Sequence, residues 1–206
     1  MHTLITGGAG YIGSHTCLAL LEAGHQVTVL DNLCNGSAQA LQRVQQLAGK
    51  PLHFIHGDIC NPADLQRAFA QRPDAVIHFA ALKAVGESCE KPLDYFDNNI
   101  GGTIALLQAM RAAAVNTLVF SSSATVYGEP DAVPVTEDAA LRVTNPYGRT
   151  KLVMEQLIGD CCQADPAMSA VLLRYFNPVG AHPSGRIGED PSGTPNNLMP
   201  YIAQVA

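Results

Sequence analysis

The chain has 206 residues with a formal net charge of −6, and is 47% hydrophobic and 15% charged, the composition of an ordinary globular domain. This acidic balance, with lysines and arginines scattered rather than clustered, argues against a binder of nucleic-acid backbones. No apolar run reaches the roughly 18 residues that cross a bilayer, and Met1-His2-Thr3-Leu4-Ile5-Thr6 lacks the basic and apolar regions of a signal peptide.

Short β-branched runs alternate with helical stretches from the start of the chain. Residues 4–6 read as a strand that runs directly into Gly7-Gly8-Ala9-Gly10-Tyr11-Ile12-Gly13. Residues 12–23 read as a helix, closed by Ala23-Gly24 as a left-handed glycine end. Glycines placed between a strand and a helix permit a tight turn, close approach of backbone N–H groups to a pyrophosphate, and close helix–strand packing. That context makes Gly7, Gly8, Gly10 and Gly13 a dinucleotide-binding candidate, where an isolated glycine pattern would be weak.

A second strand over residues 26–30 ends at Asp31, where an acid meets the ribose hydroxyls of adenosine and repels a 2′-phosphate. No Arg or Lys follows closely, so NAD is favoured over NADP. A helix over 37–48 and a strand over 52–55 follow. Asp58 sits after Gly57 at the strand end, where it either reads an adenine amino group or serves as a helix N-cap or turn acid. His53 and His56 are read as ordinary strand residues, because positions three apart point to opposite faces.

After a helix over 63–70, a strand over 75–79 ends in Phe79-Ala80-Ala81, small enough to let backbone approach a ligand. Lys83 beyond it faces either a phosphate or solvent. A single helix is expected over 92–114, then a strand over 117–121 followed by Ser121-Ser122-Ser123 at the carboxyl edge, where such sheets bind ligands. The last long helix, over 146–162, begins at Asn145-Pro146, a cap followed by a residue suited to the first turn. It puts Tyr147 and Lys151 on one face. A lysine there could favour the phenolate; lowering a phenol pKa from about 10 by roughly three units takes about 4 kcal/mol.

A strand over 170–173 completes the alternation, which predicts an α/β doubly wound parallel sheet, Rossmann-like, with right-handed crossovers. From 177 to 197 the chain is rich in Gly, Pro, Ser and Asn and is expected to be a functional loop. Residues 198–206 begin another helix-like stretch without a capping glycine or polar tail. The chain is therefore expected to be a fragment, with residues 1–176 as the cofactor-binding domain and 177–206 opening a substrate-binding region. Cys17, Cys34, Cys60, Cys89, Cys161 and Cys162 form no Cys-x-x-Cys pair and no zinc spacing, so reduced thiols and no metal are expected.

Ser123, Tyr147 and Lys151 beside a nucleotide loop make a Ser/Tyr/Lys constellation. Together these residues resemble the extended short-chain dehydrogenase/reductase superfamily, and within it the branch that epimerises UDP-hexoses. The resemblance is carried by Thr6-Gly7-Gly8-Ala9-Gly10-Tyr11-Ile12-Gly13-Ser14-His15, Asp31-Asn32-Leu33, His78-Phe79-Ala80-Ala81-Leu82-Lys83-Ala84-Val85-Gly86-Glu87-Ser88, Ser121-Ser122-Ser123-Ala124-Thr125-Val126-Tyr127-Gly128 and Arg174-Tyr175-Phe176-Asn177-Pro178-Val179-Gly180-Ala181-His182. It spans essentially the whole chain.

The resemblance implies that NAD is held by Tyr11, Ile12, Asp31, Asn32, Asn35, Gly36, Asp58, Ile59, Phe79, Ala80, Ala81, Lys83, Asn98 and Phe176, besides Ser123, Tyr147 and Lys151. Lys151 would bond the nicotinamide ribose and depress the Tyr147 pKa. Asn177, Asn197 and Leu198 would contact the nucleotide sugar, alongside Ser123 and Tyr147. By residue type alone, Asn98 reads as a helix cap and Asn196-Asn197 as loop polarity. The implied activity is NAD-dependent interconversion of UDP-glucose and UDP-galactose by transient oxidation at C4, in galactose metabolism. A cytoplasmic homodimer packed through the 92–114 and 146–162 helices is also implied. A 4,6-dehydratase is disfavoured because Ala124-Thr125-Val126 lacks the Asp-Glu pair that such enzymes resembling this chain carry. A UDP-glucuronate or UDP-N-acetylhexosamine epimerase, and an NAD-binding module without turnover, remain as alternatives.

Overall fold

The computed structural model describes residues 1–190 and 197–205; residues 191–196 of the expected 177–197 loop, Asn196 among them, and Ala206 lie outside that set. The first half alternates β1 (His2–Thr6), α1 (Tyr11–Glu22), β2 (Gln26–Asp31), α2 (Ala38–Ala48), β3 (His53–His56), α3 (Pro62–Phe69) and β4 (Ala75–His78). Two short helices follow, α4 (Val85–Glu90) and α5 (Pro92–Tyr95). A π-helical segment, Phe96–Gly101, leads into α6 (Gly102–Ala112). β5 (Thr117–Ser123), a 3₁₀ turn (Ala124–Tyr127), α7 (Pro146–Ala164), β6 (Ser169–Tyr175) and α8 (Leu198–Val205) complete the order.

The six strands form one all-parallel sheet in the order β3-β2-β1-β4-β5-β6. Successive strand residues point to opposite faces, and both faces are covered over β1 and β2, while one face of β6 leaves Val171 and Leu173 exposed. Leu4, Leu30, Val76, Leu118 and Phe120 meet Leu65, Phe69, Leu106, Met110, Met154 and Ile158 from α3, α6 and α7. Ile5, Val27 and Val29 meet Cys17, Leu18, Leu21, Leu41 and Val44 from α1 and α2. Burial on both faces is why the central strands β1 and β2 read as nearly continuous apolar runs.

Local chemistry sets the element boundaries. Ser37, Asn61 and Asn145 cap α2, α3 and α7 by accepting the N–H of Gln39, Ala63 and Gly148. α1 ends as expected: Gly24 has φ +86°, and the N–H groups of Gly24 and His25 return to the carbonyls of Leu21 and Leu20.

Three expectations need correction. The helix expected over 92–114 is divided, because Phe96–Gly101 widens to a π-helix, and α4 precedes it unannounced. The serine run does not follow its strand: Ser121, Ser122 and Ser123 pair with Leu173, Arg174 and Tyr175 of β6, so the strand extends to the site itself. Asn98 is not a cap but lies inside the π-helical segment.

Candidate active site

The strand order reverses between β1 and β4, and the chain leaves these two strands in opposite directions. This is where open α/β sheets form a crevice at their carboxyl edge. Here the walls approach closely. A Cβ on Gly7 (φ +73°) would lie 2.6 Å from the Ala80 nitrogen, so this turn is open only to glycine. The N–H groups of Phe79 and Ala80 both reach the Thr6 carbonyl, fixing Phe79-Ala80-Ala81 against the glycine loop.

α1 starts at Gly10 with no side-chain cap, unlike α2, α3 and α7. Its first N–H groups, those of Tyr11, Ile12 and Gly13, are thus presented at the glycine loop, the arrangement that suits a pyrophosphate. Asp31, 8% exposed, closes this half. Its carboxylate accepts the N–H of Ala9 (2.9 Å) and of Leu33 (2.8 Å), anchoring the glycine loop while keeping lone pairs free for hydroxyls. Gly36 lies so near Ala9 that a Cβ would meet it at 2.9 Å. Asp58 acts as a turn acid, accepting from Cys60 N–H (2.7 Å) and from the Asn32 amide (2.8 Å), while Asn61 takes the cap. Ile59 is buried in the core, and Asn35 follows Asp31 at the same edge.

Residues 177–190 cross this region. Tyr11 donates to the Gly180 carbonyl (2.5 Å), and Ile187 is buried among Ile5, Ala9 and Cys17. Glu189 lies 3.5 Å from the Lys83 ammonium and accepts from the Asn197 amide (2.5 Å), joining one cofactor candidate to one sugar candidate. Phe176, Asn177 and Leu198 are exposed at the same edge, Phe176 directly after β6.

The chemistry-bearing residues converge from β5 and α7. The Ser123 oxygen accepts from both the N–H (3.2 Å) and the hydroxyl (2.9 Å) of Thr125. The Ser123 hydrogen is left to point elsewhere, and hydrogen bonding by Ser123 is the influence that draws the Tyr147 pKa down. Lys151, 3% exposed, donates to the Ser121 carbonyl (2.8 Å), with its ammonium 5.0 Å from the Phe120 ring and 5.9 Å from the Tyr147 ring.

The expected depression of the Tyr147 pKa by Lys151 is absent. Burial pushes the phenol above its usual value of 10.0, and Ser123 alone opposes it. Burial also brings Lys151 down to about 7, with the Glu155 carboxylate opposing. The ammonium donates to a backbone carbonyl and stands nearer the Phe120 ring than the Tyr147 ring, so spacing alone did not deliver the coupling.

Supporting residues escaped the sequence reading. Ser88 of α4, fully buried, accepts the Tyr147 N–H (3.1 Å) and donates to the Val85 carbonyl (2.6 Å). Asn99, in the π-helical segment and adjacent to Asn98, exchanges bonds with both Leu82 N–H (2.8 Å) and Leu82 carbonyl (3.0 Å), and donates to Thr150 (3.1 Å). Neither role had a local signal, since the bonds of Ser88 to Tyr147 and of Asn99 to Leu82 and Thr150 join residues more than fifteen apart in sequence.

Residues 3–206 match the model of the NAD dependent epimerase/dehydratase family. The chain belongs to this family. It is 58% identical to the UDP-glucose 4-epimerase of Bacillus subtilis (strain 168) and 57% identical to that of Haemophilus influenzae, in each case over 100% of this chain. A UDP-glucose 4-epimerase from Bifidobacterium longum, solved in complex with NAD+ and UDP, matches with a TM-score of 0.97 at 52% identity. One from Stenotrophomonas maltophila, with bound NAD and formylated UDP-arabinopyranose, matches at 0.96 and 54%. The chain spans 61–62% of the length of these relatives.

Proposed function

We propose that the protein interconverts UDP-glucose and UDP-galactose by NAD-dependent epimerisation at the sugar C4. The observation that carries this reading is the placement of Ser123, Tyr147 and Lys151 at the same sheet edge as the bare N–H groups that open α1. The relatives solved with NAD and UDP compounds support it. NAD, when bound, would accept hydride from C4 and return it to the opposite face of the ring.

The chain's own residues would do the rest. The α1 N–H groups, Asp31, Lys83, Asn98 and Phe176 would hold the cofactor. Lys151 would hold its nicotinamide ribose. Tyr147 would take the proton from the 4-hydroxyl as general base, and Ser123 would orient that hydroxyl through its outward hydrogen. Asn177, Asn197 and Leu198 would meet the nucleotide sugar. The Ala124–Tyr127 turn carries no carboxylate, which favours epimerisation over elimination of water.

Residues 1–176 would form the cofactor domain and 177–206 the start of the substrate region. The protein would be a cytoplasmic homodimer packed through the 92–114 and 146–162 helices, on the first of which Leu93 and Ile104 are exposed. The test is Tyr147→Phe in the whole protein. Conversion of UDP-galactose to UDP-glucose should fall by about 10²–10⁴-fold with NAD content unchanged. Turnover near that of the parent would overturn the base assignment.

A further inference from the structure

Glu155 lies one helical turn beyond Lys151 on α7, on the same face. It is only 6% exposed and fully engaged. Arg174 of β6 meets it as a fork, with Nε donating to one oxygen (3.0 Å) and Nη2 to the other (2.7 Å). Ser122 of β5 donates to the first oxygen as well. Arg174 also donates to the Tyr127 hydroxyl (2.8 Å) and the Glu137 carbonyl (3.4 Å), fastening the turn that contains Thr125. The network therefore ties α7, which carries Tyr147 and Lys151, to the strand end whose Ser121 accepts from Lys151 and whose Ser123 faces Tyr147.

A buried ion pair is poor evidence for stability, because apolar residues of similar size often do as well. Its position here points to another use. The groups that face Lys151 are Tyr147 and Glu155 on α7, His78 on β4, and Arg174 on β6 beyond Glu155; from β5 come only the Ser121 carbonyl and the Phe120 ring. Among them Glu155 is the one that supports a positive charge on the lysine by Coulomb attraction.

We propose that Glu155, seated by Arg174 and Ser122, is a positioning residue that keeps Lys151 charged and aligned with the Ser121–Ser123 strand end. That Lys151 is the residue worth charging rests on the epimerase reading above.

The test titrates Lys151 directly by NMR of protein labelled with ¹³C at lysine Cε, assigned by loss of its signal among the four lysines of the sequence. It requires neither substrate nor turnover, so it stands or falls separately from the epimerase reading, which the Tyr147→Phe assay tests. Glu155→Gln should move the Lys151 midpoint down by about one pH unit or more, and in the active enzyme move the basic limb of kcat the same way. Glu155→Asp, which keeps the charge, should leave the midpoint within about 0.3 unit of the parent, well inside the shift a lost charge gives.

A double variant, Glu155→Met with Arg174→Met, exchanges the pair for apolar groups and covers the case in which Glu155→Gln fails to fold. Its midpoint should fall by less than that of Glu155→Gln, since the more distant positive charge is removed too. An unmoved Lys151 midpoint in Glu155→Gln, or in the folded double variant, would show a purely structural ion pair and overturn the proposal.

Discussion

Glycine to alanine changes at three positions separate the physical roles that the same residue plays in this chain. Gly13 lies in α1 with ordinary helical backbone, so alanine meets no torsional strain there. A Cβ would, however, stand 2.3 Å from the Gly7 carbonyl oxygen, 2.7 Å from Gly8 Cα and 3.0 Å from the Gly8 carbonyl carbon. Comfortable contact is about 3.5 Å, so the start of α1 must retreat from the glycine loop by roughly 1 Å. Every opposing atom is backbone, which places the overpacking cost near the upper end of its range, about 3 kcal/mol. Alanine returns about 1 kcal/mol of helix propensity, leaving a net loss of about 2 kcal/mol. The retreat also moves the N–H groups proposed to cradle a pyrophosphate. Gly24, at φ +86° with nothing within 4 Å of a Cβ, should lose about 1 kcal/mol to left-handed strain alone. Gly159, inside α7 with open space around it, should gain about 0.5–1 kcal/mol. Urea denaturation ranks the three, and calorimetric titration with NAD completes the assay: only Gly13→Ala should weaken binding. A Gly13→Ala protein with parental stability and parental NAD affinity would refute the close-approach argument.

Two further predictions concern pH, and one concerns a helix start. Thr103 donates to the Asn99 carbonyl, so His78 Nε2–H donates to Thr103 (3.0 Å) and Nδ1 accepts from Thr6 (2.7 Å), giving a buried neutral ring. Burial brings its pKa to about 3 from 6.5, so the unfolded chain takes the proton first. Stability should fall at about 1.4 kcal/mol per unit as pH drops from 6.5 toward 3, a slope that His78→Asn removes in denaturation series. Lys151, at about 7 instead of 10.5, gives up its proton in the folded state first. Stability should therefore rise between pH 7 and 10.5; Lys151→Met should lack that rise and be the more stable protein at pH 7. Ser88→Ala should cost about 1–3 kcal/mol in the same assay by leaving the Tyr147 N–H buried without its partner, and should lower kcat by displacing the phenol.

The parts of this fold that could be read from sequence are those whose cause is local. Strand–glycine–helix order, the Asn145 cap and the left-handed Gly24 each depend on residues within one turn, and each is where it was expected. Residue type also placed Asp31 and the serine run at the carboxyl edge, though pairing with β6 carries the strand two residues further than its composition suggested. What was not legible depends on partners distant in the chain. α4 is six residues long and scarcely periodic, yet its Ser88 completes the start of α7. The π-helical widening has no sequence mark except Asn99, whose clamp on Leu82 can be seen only once β4 and α7 are adjacent. Glu155 was partly legible: the spacing that singled out Tyr147 and Lys151 places it next on the same face, but its use emerges only with Arg174 across from it.

The same reasoning sharpens what the Tyr147/Lys151 pair is. Tyr147 and Lys151 share one face of α7, yet each is shifted by its own surroundings and neither by the other. Burial raises the phenol and lowers the lysine, and both shifts favour the uncharged forms. Two neighbours act the other way, each on one member: Ser123 on the phenol through hydrogen bonding, and Glu155 on the lysine through its charge. Thr125 orients the first and Arg174 seats the second, and Arg174 also holds the turn containing Thr125 through Tyr127. The charge states of the two proposed catalytic groups are thus influenced by a single connected network spanning β5, β6 and α7. Removing Ser123 and Glu155 together should consequently give a loss of kcat different from the sum of the single losses, measurable as a double-mutant cycle. Additive losses would mean that the two neighbours act independently, and the connected-network description would fail.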